Sequence, residues 1–265
     1  MVESIKELRI ICQKSRESSS YKMSWSQKKL YRSISIYLTK LCLKMGITAN
    51  QATFISFCLG IMAGIFLTFG HAIYWIIGAL LVYLFSLFDH ADGEIARYNR
   101  SASPTGAYLD AIVGFTMAFI YLPICMCFGI YSALQNTAVL KLGFFVVGSI
   151  FLLRSSVLVE YRIHSKTSFS YEDLMRIDST GKSKLKVLMK WGMLLFGEWF
   201  TIMLLVVAII DLFVSPFIVS HIPFIDSLTV NARYLHLALY GIAMLVAAII
   251  RIVYTIRGGV KLRLI

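Results

Sequence analysis

Between two long apolar runs the chain carries DHADGEIARYNRSASPTGAYLD, residues 89 to 110. Three carboxylates, Asp89, Asp92 and Asp110, lie in this stretch with Arg97. If the apolar run before Asp89 continues as a helix, Asp89 and Asp92, at i and i+3, share one face a turn apart. Gly93 follows directly and, lacking a Cβ, admits a close approach of backbone or ligand. Arg97 comes one turn later, and Gly106 and Asp110 open the next apolar run, so two helix ends can gather three acids and a guanidinium. Carboxylate oxygens suit a hard divalent cation, and Mg²⁺ is bound characteristically by a few carboxylates together with substrate phosphates. Two such ions about 3.5–4 Å apart would clamp a pyrophosphate and polarise its phosphorus for in-line attack. Arg97 offers a planar, permanently charged fork for phosphate oxygens. In a soluble protein a lone DxxDG reads as a polar loop with a capping Asp and a salt bridge. Here the acids flank apolar spans, where carboxylates are expensive unless solvated, paired or metal-bound, and three of them exceed what capping requires.

The elements that must position these residues are membrane helices. A chain of 265 residues with 58% hydrophobic and 15% charged residues and a mean hydropathy of +0.75 does not fit a soluble surface. The expected fold is an all-α integral membrane protein with six transmembrane helices, at about 50–69, 72–88, 107–132, 138–159, 191–214 and 233–254, set by the roughly 20 residues a bilayer demands. An amphipathic interfacial helix is predicted ahead of them at about 25–45, with Trp25, Leu30, Ile34, Tyr37, Leu38 and Leu41 on its apolar stripe and Lys28, Lys29, Arg32, Lys40 and Lys44 facing headgroups. Residues 1–24 read as a polar extension, mobile or loosely docked, and 25–265 as a single membrane domain without internal repeat. The N-terminus shows no secretory signal and is expected to stay in the mature protein.

The charge distribution reads as topology. Of 26 Lys and Arg, ten fall in residues 1–45 and seven between Arg162 and Lys190. By the positive-inside rule both termini, the acidic stretch and the 161–190 loop face the cytoplasm, in contact with the lipid bilayer. The basic residues form no single patch, so nucleic acid is not an expected partner. In the 161–190 loop, Ser179-Thr180-Gly181-Lys182-Ser183 lacks the first glycine of a phosphate loop, since position 176 is Arg. The five cysteines show neither zinc spacing nor a disulfide framework and read as small buried hydrophobes. Arg154 lies inside the fourth span near its cytoplasmic end, where it either has a partner or snorkels to the headgroups. Asp211, near the outer end of the fifth span, reads as an ordinary boundary carboxylate. Asn50 and Thr53 at the entry to the first span read, taken alone, as helix caps. Gly60 and Gly64 form a small-xxx-small pair that lets helices approach closely. A transporter would also place charge in the membrane, but these acids cluster at one interface and no inverted repeat or pair of broken helices is visible.

At the acidic stretch the chain resembles the CDP-alcohol phosphotransferase family, whose signature is D-x2-D-G-x2-A-R-x8-G-x3-D-x3-D. Asp89, Asp92, Gly93, Ala96, Arg97, Gly106 and Asp110 match it in identity and spacing. ITANQAT, at residues 47–53, is similar to the family's I-T-P-N-x-x-T entry to the first span, with Ala49 in place of Pro. The resemblance implies transfer of a substituted phosphate from a CDP-alcohol donor to an acceptor alcohol with release of CMP, at the cytoplasmic face, in phospholipid or related glycolipid or polymer biosynthesis. Asp89, Asp92 and Asp110 would hold two Mg²⁺ or Mn²⁺ ions. Asn50, Thr53, Gly93, Ala96, Arg97 and Gly106 would shape the CDP site, and Arg154 and Arg162 would contact an anionic acceptor or headgroup. Homodimers are frequent in the family. One position departs: the last Asp of the signature, assigned in the family as a metal ligand and as the general base, is Gly114 here. General-base help is worth about 10²–10⁴-fold, so three explanations stand open. Another base serves, with His90, Glu94 and His164 the nearest titratable residues in sequence; the acceptor needs none; or the chain binds metal and CDP without turnover.

Overall fold

A computed structural model describes residues 2–14, 27–165, 200–221 and 231–259, without the side chains of 14, 27–28, 157–165, 201, 214–221 and 254–259. All regular structure in these residues is helical. In lipid every backbone polar group needs an internal partner, and the helix supplies one within each segment.

The N-terminal segment departs from the mobile or loosely docked extension that its polarity suggests. Helix α1 (Ile5–Arg9) opens with a capping box, in which Ser4 Oγ accepts from the Glu7 amide and the Glu7 carboxylate accepts from the Ser4 amide at 2.8 Å. Its coil widens over Ile10–Lys14. Leu8 and Cys12 are fully buried against Ile36, with Val2, Ile5, Leu43 and Tyr98 around them. Apolar residues at 2, 5, 8 and 12 do follow a helical period, but a stripe of four is too short to stand out from its polar neighbours.

Helix α2 (Ser33–Lys44), preceded by a wider π-type coil over Gln27–Arg32, carries its apolar stripe outward. Ile34, Tyr37, Leu41 and Met45 are exposed, whereas Ser35, Ile36, Thr39 and Cys42 face inward. Of the basic residues read as facing headgroups, Arg32 is instead buried, its NH1 donating to the Gln13 carbonyl at 3.4 Å. Gly46, at φ +71, turns the chain into the next helix in a conformation that glycine adopts without steric cost.

Helices α3 (Ala49–Leu67) and α4 (Ala72–Tyr98) form the most extensive packed pair in the chain. Then come α5 (Pro104–Phe115), a π-wound segment Thr116–Tyr121 and α6 (Leu122–Leu134), which run on as one continuous coil. Helices α7 (Ala138–Ser165), α8 (Phe200–His221) and α9 (Ala232–Gly259) complete the described chain. By length and composition five stretches can cross a membrane: Ala49–Leu67, Ala72–Tyr98, Pro104–Leu134, Ala138–Ser156 and Ala232–Val253. The remaining expected span, about 191–214, begins outside the described residues; its described part lies in α8, which is apolar over Ile202–Phe213.

The core lies between α3, α4, α6, α7, α8 and α9 and includes Leu67, Trp75, Met126, Ile130, Leu204 and Leu237. Small residues bring the helices close. A Cβ at Gly60 would meet Met117 Sδ at 3.1 Å and one at Gly64 would meet the Tyr121 ring at 2.1 Å, so both glycines of the small-xxx-small pair receive side chains from the π-wound segment. Asp211 is not a solvated boundary acid. It is buried and paired with Arg233 NH2 at 2.6 Å, while Arg233 NH1 donates to the Gly70 carbonyl at 2.7 Å. This joins α8 and α9 to the turn between α3 and α4.

Candidate active site

Helix α4 does not stop at the end of its apolar run. It continues ten residues past Phe88 to Tyr98, so the whole of DHADGEIARY is helical. At about 100° per residue, Asp89, Asp92, Gly93 and Ala96 fall in one sector of the helix, and His90, Glu94 and Arg97 in another. The two sectors meet different partners. The first looks toward α3 and α5, the second toward the N-terminal segment and the coil before α2.

On the first side three helix ends converge. The cap of α3 is made by Thr48 and Gln51, which exchange bonds in a capping box. Asn50 and Thr53 are therefore not spent as caps. Thr53 Oγ1 donates to Asp92 Oδ2 at 2.6 Å, and its oxygen also lies 3.1 Å from the Ala49 carbonyl. Asp92 is 5% exposed, and Asp110 of α5 is near enough to bear on it electrostatically. Helix α5 starts on Ser103, whose hydroxyl accepts from the Gly106 amide at 3.0 Å, with Pro104 in the first turn where its missing N–H costs nothing. A Cβ at Gly106 would lie 3.6 Å from Asn50 Oδ1, which places the two family-type motifs side by side. A Cβ at Gly114 would lie 3.7 Å from Asp89 Oδ1, an ordinary van der Waals contact. Position 114 therefore faces Asp89 and has room for a Cβ. No residue of α5 is buried, so this helix borders the acids without closing over them.

The second side is occupied. Glu94, 1% exposed, accepts from Ser35 Oγ at 2.8 Å, Thr39 Oγ1 at 2.7 Å and Gln13 Nε2 at 2.8 Å. His90 Nδ1 donates to the Ser86 carbonyl at 2.8 Å, and the ring stacks on Tyr31 at 5.3 Å. Arg97 Nε donates to the Cys12 carbonyl at 2.6 Å. A Cβ at Gly93 would come within 3.3 Å of Arg97 NH1, so glycine here lets the guanidinium lie along the helix beside Asp92. Of the three residues considered as alternative bases, Glu94 and His90 thus point away from Asp89, and the side chain of His164 lies outside the described residues, as does that of Arg162.

Among the described residues, the contacts of Arg154 of α7 are aromatic. Its guanidinium lies over the Phe119 ring at 3.8 Å and the Phe115 ring at 5.4 Å, immediately after Gly114 in the chain. Arg154 Nε is buried and has no hydrogen-bond partner among the described residues. Arg251 of α9 bears on it electrostatically. Spacing along the chain holds no signal for this approach, since the two arginines lie nearly a hundred residues apart.

Residues 46–217 match the family model described as CDP-alcohol phosphatidyltransferase. The chain belongs to this family. No curated protein sequence matches it. CDP-alcohol phosphatidyltransferases transfer a phosphoalcohol from a CDP-alcohol and are generally dependent on a divalent metal. Among the described residues no group of three or more His, Cys, Asp or Glu side chains is drawn together as a ready-made metal cage. What the family motif does present is carboxylate oxygen in two places along the α4–α5 border, Asp92 with Asp110 and Asp89 opposite Gly114. Those are hard donors of the type that Mg²⁺ and Mn²⁺ take, and they fit such ions in chemistry.

Proposed function

We propose that the chain transfers a substituted phosphate from a CDP-alcohol to an acceptor alcohol with release of CMP, at the cytoplasmic face of a membrane. The single observation that carries this reading is the convergence of α3, α4 and α5, in which the Thr53–Asp92 bond and the Asn50–Gly106 approach bring two separated motifs to one place. Asp89, Asp92 and Asp110 would hold two Mg²⁺ or Mn²⁺ ions. When bound, the metals would neutralise charge on the pyrophosphate and leave its β-phosphorus open to in-line attack. Thr53 fixes one Asp92 oxygen and so limits the directions in which that carboxylate can ligate. Asn50, Gly93, Ala96, Arg97 and Gly106 line the donor side, Gly93 and Gly106 by the approach they permit and Arg97 by its charge. Arg154, with Arg251 bearing on it electrostatically, supplies positive charge on the acceptor side, and Arg162, whose side chain lies outside the described residues, would contact the same anionic acceptor or headgroup.

The space at Gly114 is where the acceptor hydroxyl enters. With no carboxylate at 114 and with His90 and Glu94 engaged elsewhere, the acceptor's proton leaves toward Asp89, toward His164 or to solvent. The second reading, a protein that binds CDP and metal without turnover, draws on the same glycine. The two are separated by measuring CMP release from a panel of CDP-alcohols with Mg²⁺ or Mn²⁺ for the natural chain and for Gly114→Asp. The transferase reading expects release by the natural chain and a rise of about a hundred-fold or more in the variant, the lower part of what a general base contributes. Metal-dependent CDP binding with no CMP release under any condition would leave the binding protein. Absence of both would remove the site.

A further inference from the structure

The N-terminal segment hydrogen-bonds to three residues of the site helix, Tyr98, Arg97 and Glu94, and to the coil before α2. Glu3 accepts from the Tyr98 hydroxyl, the Cys12 carbonyl accepts from Arg97 Nε at 2.6 Å, and Gln13 Nε2 reaches both Glu94 Oε1 at 2.8 Å and the Arg32 carbonyl at 2.9 Å. Leu8 and Cys12 fill the apolar space beneath, fully buried. Docking for stability alone could use any exposed face. This segment instead binds the last turns of α4, on the back of the turn that carries Asp92 and Gly93.

We propose that residues 2–14 are a positioning strap for the donor site, in which the Cys12 carbonyl, anchored by the Gln13–Glu94 bond, sets the orientation of the Arg97 guanidinium. The inference rests on the CDP-donor reading above and adds to it a segment outside the family match, which begins at residue 46. The geometry gives the reason. A guanidinium is planar, so a short bond at Nε to a fixed carbonyl orients the whole fork. That carbonyl is fixed because its neighbour Gln13 is bonded on both sides, to α4 through Glu94 and to the coil before α2 through Arg32. Glu94 in turn is held by Ser35 and Thr39, so the carboxylate is the knot joining strap, α2 and α4. An unpaired acid so deeply buried would be costly, and Gln13 is one of the three donors bonded to it. Gln13, Glu94 and the Cys12 carbonyl act on the reaction only through Arg97 and are positioning groups.

Because the strap and a phosphate-bearing donor favour the same Arg97 orientation, each must strengthen the binding of the other by the same factor. Cys12 reports on the docked state. Its side chain is fully buried, and burial followed by the Glu94 charge pushes its thiol up to about 11, so it reacts when the strap lifts. The test uses the full-length protein in nanodiscs, labelled with N-ethylmaleimide and quantified by peptide mass spectrometry with and without saturating CDP and Mg²⁺. CDP binding itself is measured separately by calorimetry. The expected result is labelling of Cys12 slowed about 3-fold or more by CDP, with Cys58 of α3 unchanged, and a Kd for CDP raised about 3- to 10-fold in Gln13→Ala, which also labels faster at Cys12. If CDP binds the natural chain while Cys12 labelling stays the same, the strap is structural only and the proposal is overturned, whether or not Gln13→Ala folds. Failure of the natural chain to bind CDP at all overturns the donor-site reading, and this inference falls with it.

Discussion

Thr53 shows how much one hydroxyl decides. Read alone it was a cap; in the structure Thr48 caps the helix and Thr53 steadies Asp92 across to the next helix. Thr53→Val keeps the shape and removes the donor, leaving a buried carboxylate one bond short. CMP release by the variant is expected to fall about ten-fold, and unfolding stability to drop by roughly 1–3 kcal/mol, the cost of an unsatisfied buried acceptor, both read on the purified protein. Gly114 is the converse case, a residue whose meaning is the group it lacks. Both its departure from the signature and its place in the signature were legible from spacing. That its missing side chain would point at Asp89 required the helix pairing.

The elements hold these residues through their ends and their small residues. Helix α4 terminates in a Schellman motif: Ser101 N donates to the Ala96 carbonyl at 2.9 Å and Arg100 N to the Arg97 carbonyl at 3.3 Å, with Arg100 left-handed at φ 52. Arginine at this position carries a Cβ against the following carbonyl. Arg100→Gly is expected to raise stability by about 1 kcal/mol, seen as a higher midpoint in thermal unfolding of the detergent-solubilised protein. A lower midpoint would mean that the Arg100 side chain contributes more than its backbone costs. The π-wound segment after Gly114 delivers Met117 and Tyr121 into the Gly60 and Gly64 notches. Gly64→Ala would set a methyl 2.1 Å from the Tyr121 ring and break the 3.0 Å bond from Tyr121 to the Ile61 carbonyl. The expected cost is about 1–3 kcal/mol, recovered in large part by combining it with Tyr121→Leu, as a double-mutant cycle on thermal unfolding would read.

At the scale of the whole molecule, the end remote from the acids is tied by Arg233. Its bonds to Asp211 and to the Gly70 carbonyl join α8 and α9 to the α3–α4 turn, and its guanidinium also lies 5.1 Å from the Trp75 ring centre. Removing one partner strands a buried charge, so Asp211→Asn is expected to lower unfolding stability by about 3–5 kcal/mol. Replacing both, as Asp211→Leu with Arg233→Met, should restore most of it, because a packed apolar pair avoids the desolvation cost. An equal loss in the single and double variants would show that the Gly70 bond, not the ion pair, holds this end.

Sequence alone determined the class and the chemistry. Apolar runs of span length can be satisfied in lipid only as helices, and seven positions at fixed spacing from Asp89 to Asp110 identify the phosphotransferase motif without coordinates. Only the tertiary structure decided which face of α4 meets α3 and α5 and which meets the N-terminal segment. His90 and Glu94 sit among the acids in the chain, yet a helix turns each residue by about 100°, and that rotation carries them to Tyr31, Ser35, Thr39 and Gln13 instead. The same holds for the N-terminal segment, for Asp211 and for Arg154. Their partners lie far along the chain, so linear spacing contains no trace of them, and burial, which decides whether a charge must be paired, exists only once the helices have packed.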